Sequence, residues 1–140
     1  MKKKDRMKNT PTYHYYNANP KDLYVGDCRY RAYALANNLP WDVTVVTVAL
    51  WSAKTGKVDA DASTVDEVLQ VFGNWQKQKE PKHADGTKYT VAELAKKLKK
   101  EPNPIIVCVN HHTTCIKEGK VWDTWNCSNE YVRSYWIKGE

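Results

Sequence analysis

The residue types best suited to chemistry in this chain are a cysteine, a histidine and an aspartate: Cys28, His112 and Asp123. Nucleophilic catalysis by a cysteine needs a thiolate, an imidazole that takes and returns a proton, and a third group that holds the imidazole in the productive tautomer. These residues supply the side chains for those roles. They are far apart in the sequence, so the chemistry depends on the elements that bring them together.

Cys28 stands at the start of a predicted helix that runs to about Asn37, with Asp27 in the N-cap position and Pro40 beyond its end. The free N–H groups and the dipole of a helix N-terminus stabilise a thiolate and lower the pKa of a cysteine there. This position predicts a nucleophile. For a single cysteine, the alternative is a small buried residue that begins a helix.

His112 and Asp123 are predicted to lie on neighbouring strands. Three segments have the composition of strands: residues 105–109, 112–118 and 120–125. A hairpin turn at Gly119-Lys120 places residue 112 opposite a position near 127. Asp123 is then diagonal to His112, and within reach only if the hairpin is twisted or bulged.

Three further helices are predicted from apolar spacing and capping residues: Asp42 to the C-cap Gly56, the Ser63/Asp66 capping pair to Gly73, and the Thr90/Glu93 capping box to Lys100. The remaining segments are predicted as follows: 11–24 extended, 74–88 a lysine-rich loop and 131–137 a strand. N-terminal helices followed by a C-terminal antiparallel sheet form an α+β fold. We expect a basic, flexible tail over residues 1–10 and a single domain over 11–140.

The order of these elements resembles the papain-like cysteine peptidase fold. The segment PIIVCVNHHTTCIKEGKVWDTW resembles the C-terminal half of that fold, in which a proline-led strand precedes the catalytic histidine and a short hairpin leads to the orienting Asp or Asn. Asp123-Thr124-Trp125 resembles the papain Asn-Ser-Trp element, whose tryptophan shields the His–Asn pair from water.

A closer resemblance, over about residues 20–138, is to small papain-like proteins of phage and prophage origin. Four motifs carry it in order: Gly26-Asp27-Cys28 with Arg31-Ala32, Thr90-Val91-Ala92-Glu93, His112 to Trp125, and Tyr135-Trp136. The resemblance implies a cysteine hydrolase that acts on peptide or isopeptide bonds. It implies Cys28 as nucleophile, His112 as general base and then acid, and Asp123 as the orienting group.

Asp22 departs from the family pattern. Papain-like peptidases place a glutamine six residues before the nucleophile to complete the oxyanion hole, and an ionised aspartate cannot donate a hydrogen bond there. The backbone N–H of Cys28 supplies one donor, and the candidates for the second are Asn17, Asn19 and Lys21. The departure leaves an alternative function, a catalytically impaired papain-like module that binds a protein partner.

A zinc site is the alternative for a second group of residues, Cys108, His111 and Cys115. A structural zinc usually takes paired ligands around a tight turn and a second pair from elsewhere, whereas the apolar neighbours here suit a packed strand. These cysteines are therefore predicted to be core or surface thiols, and no cofactor is expected. The hairpin register favours His112 over His111 as the base, because His111 then faces the other side of the strand.

The net charge of +6 is concentrated in residues 1–10 and 74–101, which carry +4 each and leave −2 for the remainder. These segments favour nucleic-acid binding as an alternative, but aromatic residues do not alternate with the lysines as a stacking platform requires. The longest apolar run, residues 45–51, is too short to cross a bilayer, so no membrane partner is expected. Free cysteines and the lack of an apolar leader predict a cytoplasmic protein, in a bacterial or phage-infected cell, with a protein or peptide substrate.

Overall fold

The structure is a computed structural model that describes residues 1–139, except for the side chain of Ala62. Those residues form an α+β arrangement of five helices and a six-stranded mixed sheet. The helices are α1 (Lys3–Arg6), α2 (Cys28–Ala36), α3 (Trp41–Thr55), α4 (Ala62–Gly73) and α5 (Val91–Lys97). The strands are β1 (Tyr13–Tyr15), β2 (Trp75–Gln78), β3 (Ile105–Val109), β4 (His112–Lys117), β5 (Lys120–Asp123) and β6 (Ser134–Lys138). Within the described residues, no helix combines the length and the apolar character needed to cross a membrane.

The sheet has the strand order β1-β5-β4-β3-β6-β2. β1 runs parallel to β5, and all the other neighbours are antiparallel. The C-terminal strands β3 to β6 are antiparallel as predicted, whereas β1, from the N-terminal segment predicted to be extended, adds a parallel strand at this edge. Because Tyr15 pairs with Asp123 at the end of β1, the parallel direction brings the chain to the end of the sheet that carries Asp123, and α2 then contacts that residue through Arg31.

β2 corrects the prediction that residues 74–88 form a loop. This strand pairs antiparallel with β6, with Trp75 opposite Lys138. Trp75 is the one fully buried residue of the strand, because β2 lies at the edge of the sheet and presents polar side chains outward. The lysine-rich composition therefore gave no indication of this strand, because β2 is held in the sheet by backbone hydrogen bonds to β6.

The predicted helices are present, with some of their ends changed. α3 ends as predicted at Gly56, which adopts the left-handed conformation with φ of 77°. α4 is capped by Asp61 rather than by Ser63, because the Asp61 carboxylate accepts a hydrogen bond from the Ser63 N–H. α5 begins with the predicted capping box at Thr90 and ends earlier than predicted, at Lys97.

Two cores lie on opposite faces of the sheet, because successive side chains of a strand point to opposite sides. The core beneath α5 includes Tyr13, Val91, Leu94, Ile105, Val107 and Val121. The core beneath α2, α3 and α4 includes Tyr33, Val48, Leu69, Trp75, Ile106 and Trp136. Burial of each large apolar side chain contributes about 1.5–3 kcal/mol, so the sheet is held in place from both faces.

The β4–β5 hairpin turns at Glu118 and Gly119, one residue earlier than predicted. Both residues adopt positive φ, 55° and 76°, as a type I′ turn requires. The pairing of β4 with β5 follows from this turn, and its continuation sets His112 opposite residue 125. Asp123 is then the diagonal neighbour of His112 on the same face of the sheet, which needs no bulge.

Candidate active site

Cys28 is the first residue of α2 and is half-buried where that helix packs on β4. Asp27 occupies the N-cap position, but its carboxylate makes no capping hydrogen bond. It accepts instead from the side chains of Arg31, Asn19 and Trp41. The first N–H groups of α2 are therefore not capped by Asp27, and their partial positive charge lies beside the thiol.

His112 contacts Asp123 directly, with Nε2 of His112 2.6 Å from Oδ2 of Asp123. The two side chains are largely removed from solvent, with exposed fractions of 9% and 2%. The ring of Trp125 lies against His112 with 4.8 Å between centroids, which limits the access of water to the pair. His111 lies in the exposed β3–β4 turn with φ of 56°, so it is His112 that the structure brings to Asp123.

The pKa of the Cys28 thiol lies below its ordinary value. Burial alone would raise this pKa. A side-chain hydrogen bond with His112, a hydrogen bond from the Thr113 backbone, and the positive charges of His112 and Arg31 outweigh burial. Each of these contacts favours the thiolate over the thiol, so the ionised form of Cys28 is stabilised by the protein itself.

His112 and Asp123 hold each other in their charged forms. Burial would lower the pKa of His112, but side-chain hydrogen bonds raise it to about 11. The hydrogen bond with Asp123 has the largest effect, followed by those with Cys127 and Cys28. Burial would raise the pKa of the Asp123 carboxyl, but the hydrogen bond and charge of His112, with the charge of Arg31, hold it below its usual range. At neutral pH the site therefore holds an imidazolium and a carboxylate, and both the imidazolium and Arg31 favour the ionised form of Cys28.

Asp123 has further partners that the sequence did not predict. They are Nη1 of Arg31 at 2.6 Å, the backbone N–H of Thr124 at 2.7 Å and Sγ of Cys127 at 3.7 Å. One local signal for Arg31 exists, because Asp27 and Arg31 are four residues apart on one helix and can pair. The contact from Arg31 to Asp123 spans 92 positions of the chain, and no local pattern predicts it.

The alternative zinc site would use Cys108, His111 and Cys115. Within the described part of the chain, the ligand atoms of these residues do not form a cluster. One described cluster does combine metal-type ligand atoms, and its members are His112, Asp123 and Cys127. The positive charge of the Arg31 guanidinium, 2.6 Å from Asp123, would repel a metal ion bound to the same carboxylate. The hydrogen bonds of Asp123 to His112 and Cys127 account for the close approach of these side chains.

The other cysteines differ from Cys28 in their ionisation. All four cysteines are free. Burial raises the pKa of three of them: Cys108, Cys115 and Cys127. These thiols are therefore protonated at neutral pH and react slowly with electrophiles. Cys28 is the cysteine whose surroundings favour the nucleophilic form.

Asp22 does not supply a hydrogen-bond donor to the site. The residue is exposed, has a left-handed backbone with φ of 53°, and pairs with Lys3 at 2.5 Å. The hydrogen bond from Lys3 lowers the pKa of the Asp22 carboxyl, so the group is ionised at neutral pH. The predicted substitutes Asn17 and Asn19 donate their side-chain amides to groups of the same segment. The backbone N–H groups at the start of α2, which adjoin Cys28, are the donors that the helix itself offers to an oxyanion.

The basic segment over residues 74–101 makes local contacts that offset part of its charge. Lys77 lies near Asp66, and Lys82 pairs with Glu80. Two more lysines lie over tyrosine rings: Lys88 over Tyr131 and Lys97 over Tyr89. Lysines that are paired in this way contribute less to a nucleic-acid surface than free ones.

Comparison of the chain with protein-family models, with curated proteins and with solved structures finds no match in any of the three. A thiolate beside an imidazolium, with a carboxylate behind the imidazole, can attack a carbonyl carbon and pass a proton to the leaving group.

Proposed function

We propose that the chain is a cysteine hydrolase with a papain-like domain that cleaves peptide or isopeptide bonds. The observation that carries the proposal is that His112 is hydrogen-bonded to Asp123 at 2.6 Å and lies close enough to Cys28 for each of the two side chains to shift the pKa of the other. A nucleophile, a proton carrier and an orienting group are thereby connected in the order that the reaction needs. The position of Cys28 at the N-terminus of α2 adds support, because a helix N-terminus favours the thiolate.

In the acylation step, the Cys28 thiolate attacks the carbonyl carbon of the substrate. The carbonyl oxygen gains the negative charge, and backbone N–H groups at the start of α2 stabilise it. The His112 imidazolium gives its proton to the nitrogen of the leaving amine as the C–N bond breaks. The products of this step are a free amine, a thioester on Cys28 and a neutral His112.

In the deacylation step, neutral His112 takes a proton from a water molecule while the water oxygen attacks the thioester carbon. The C–S bond breaks, the carboxylic acid leaves, and the Cys28 thiolate is regenerated beside the His112 imidazolium. Asp123 keeps Nε2 of His112 engaged through both steps, so the other ring nitrogen stays directed toward the reacting atoms. We place this activity in the cytoplasm of a bacterial or phage-infected cell, where free thiols are maintained.

An activated ester tests the proposal without knowledge of the natural substrate. We expect p-nitrophenyl acetate to release one equivalent of p-nitrophenol rapidly and to acetylate Cys28, followed by slower turnover. Peptide mass spectrometry locates the acetyl group, and Cys28→Ala removes the burst, whereas Cys108→Ala is the matched control and retains it. A burst that persists in Cys28→Ala, or acetylation of another cysteine instead, contradicts the proposal.

A second candidate, a papain-like module that binds a protein partner without turnover, is favoured by Asp22. An exposed carboxylate paired with Lys3 cannot complete an oxyanion hole. The same experiment separates the two candidates. A burst followed by a stable thioester on Cys28 supports the impaired module, whereas a burst followed by continued release supports the hydrolase.

A further inference from the structure

We infer that Arg31 is a positioning residue of the proposed triad: its guanidinium ties the helix that carries Cys28 to the Asp123 carboxylate and so aims that carboxylate at His112. The inference rests on the proposed function. Arg31 is 8% exposed, and it lies one helical turn after Cys28 on α2. A cation in this position is removed from solvent and is held by specific partners.

Arg31 uses two different nitrogens for two carboxylates. Nε donates to Oδ1 of Asp27 at 2.8 Å, and Nη1 donates to Oδ1 of Asp123 at 2.6 Å. Asp27 also accepts from Asn19 and Trp41 through its other oxygen, at 3.2 Å and 3.0 Å. The Asp27 carboxylate is therefore held in place by three side chains. Its hydrogen bond with Nε fixes the orientation of the Arg31 guanidinium, so that Nη1 points at Asp123.

The two oxygens of Asp123 are divided between different partners. Oδ1 accepts from Arg31 and from the Thr124 backbone N–H, at 2.6 Å and 2.7 Å. Oδ2 faces His112 at 2.6 Å and also accepts the weaker contact from Sγ of Cys127 at 3.7 Å. Because Oδ1 is held from two directions, the plane of the carboxylate cannot rotate without loss of both contacts. Arg31 thus determines which oxygen faces the imidazole.

The charges of the buried groups agree with this arrangement. Arg31 forms ion pairs with both Asp27 and Asp123, and the imidazolium of His112 is a second cation beside Asp123. A lysine could supply the same charge, but its ammonium is a single point on a flexible stem and lacks the planar fork that spans two carboxylates. The shape of the guanidinium, as well as its charge, is therefore required.

The test compares two replacements of Arg31 that treat charge and shape differently. Arg31→Lys keeps the charge and loses the fork, whereas the double variant Asp27→Asn/Arg31→Gln removes one charge of each sign and keeps the buried sum. Arg29→Gln, two positions earlier on α2, removes a cation outside this network and is the matched control. The readout is the rate of Cys28 alkylation by iodoacetamide from about pH 5 to 10, with mass spectrometry to locate the label.

We expect both replacements to slow alkylation of Cys28 near pH 7 by about 10- to 100-fold and to move the rise of the rate to higher pH, while Arg29→Gln matches the wild type. Wild-type rates in either folded replacement overturn the inference: in Arg31→Lys the charge alone would then suffice, and in the double variant the guanidinium would not be needed at all. Failure of the hydrolase proposal is distinguishable, since Cys28 in the wild-type protein would then show no preference over the other cysteines.

A measurement on the wild-type protein covers the case in which the variants do not fold. In a 15N spectrum, the Nε–H proton of Arg31 should exchange with solvent far more slowly than those of exposed arginines, and its chemical shift should follow the titration of His112. Exchange as fast as in exposed arginines, or a shift insensitive to His112, overturns the inference.

Discussion

His112 and Asp123 are in contact although they do not face each other across the β4–β5 ladder. Nε2 of His112 reaches Oδ2 of Asp123 at 2.6 Å along the diagonal of the hairpin. The diagonal is short enough because the two-residue turn at Glu118 and Gly119 sets both side chains on one face of the sheet. The backbone of a hairpin thus creates the proton-transfer pair on which the proposed function depends.

Cys28 should react with iodoacetamide at neutral pH before any of the other cysteines. Its pKa is lowered by contacts with His112 and the Thr113 backbone, whereas burial raises the pKa of the other three thiols. His112→Ala should slow the labelling of Cys28 by up to about 30-fold near pH 7, because a thiol of ordinary pKa is about 3% ionised there. Mass spectrometry of a time course measures both effects.

The control for this experiment is His111→Ala, since His111 lies in the exposed β3–β4 turn. It should label at the wild-type rate. Equal reactivity of all four cysteines, or an equal effect of the two histidine variants, would show that His112 does not activate Cys28.

Asp123→Asn should shift the pH dependence of Cys28 alkylation to higher pH. Asp123 raises the pKa of His112, so its replacement by a neutral amide lowers that pKa and weakens the imidazolium that stabilises the thiolate. The rate near pH 7 should fall about tenfold for each unit by which the pKa of Cys28 rises, and the two proteins should converge at high pH. A parallel loss of rate at every pH would argue for a collapsed site instead.

Protonation of His112 should stabilise the fold at low pH and lose that effect as the pH rises. The pKa of His112 is raised from 6.5 to about 11 in the folded protein. A raised pKa means that the folded state holds the proton more tightly, so the contribution is fully present below about pH 6.5 and is lost as the pH rises toward 11.

Urea unfolding of Cys28→Ser and of Cys28→Ser/His112→Gln measures this effect without interference from the Cys28 thiolate. The difference between the free energies of unfolding of the two proteins should shrink between about pH 6 and pH 10. A difference that grows with pH would mean that His112 is neutral in the folded protein.

Glu118→Asn should stabilise the β4–β5 hairpin by about 1 kcal/mol, because left-handed backbone is costly for most residues and is tolerated by asparagine. Glu118 has φ of 55° and precedes Gly119 in the turn. The change is read as an increase in the urea midpoint. Glu130→Asn, at an exposed glutamate outside the positive-φ residues, serves as control and should leave the midpoint unchanged. An equal shift of the urea midpoint in both variants would show that the conformation of the turn is not the cause of the stabilisation.

Local patterns predicted the elements whose signals are contained in a few neighbouring residues. The helix that begins at Cys28, the capping box at Thr90 and the strand over Ile105–Val109 follow from side-chain spacing and from hydrogen bonds to nearby backbone. The edge strand β2 was missed because three of its four residues are polar. The register of β4 on β5 was misplaced because Gly119 alone does not tell whether it is the first or second residue of the turn.

The sequence by itself determined the residue types of the candidate site and the helix start that holds Cys28, since both depend on short-range chemistry. Tertiary structure decided that His112 reaches Oδ2 of Asp123 along the diagonal of the hairpin, and that Arg31 holds the opposite oxygen of that carboxylate. Those choices depend on burial of charged groups from distant segments, whose free energy exists only when the partners are desolvated together. The sequence of one segment therefore does not indicate which distant residue its buried charged group will contact.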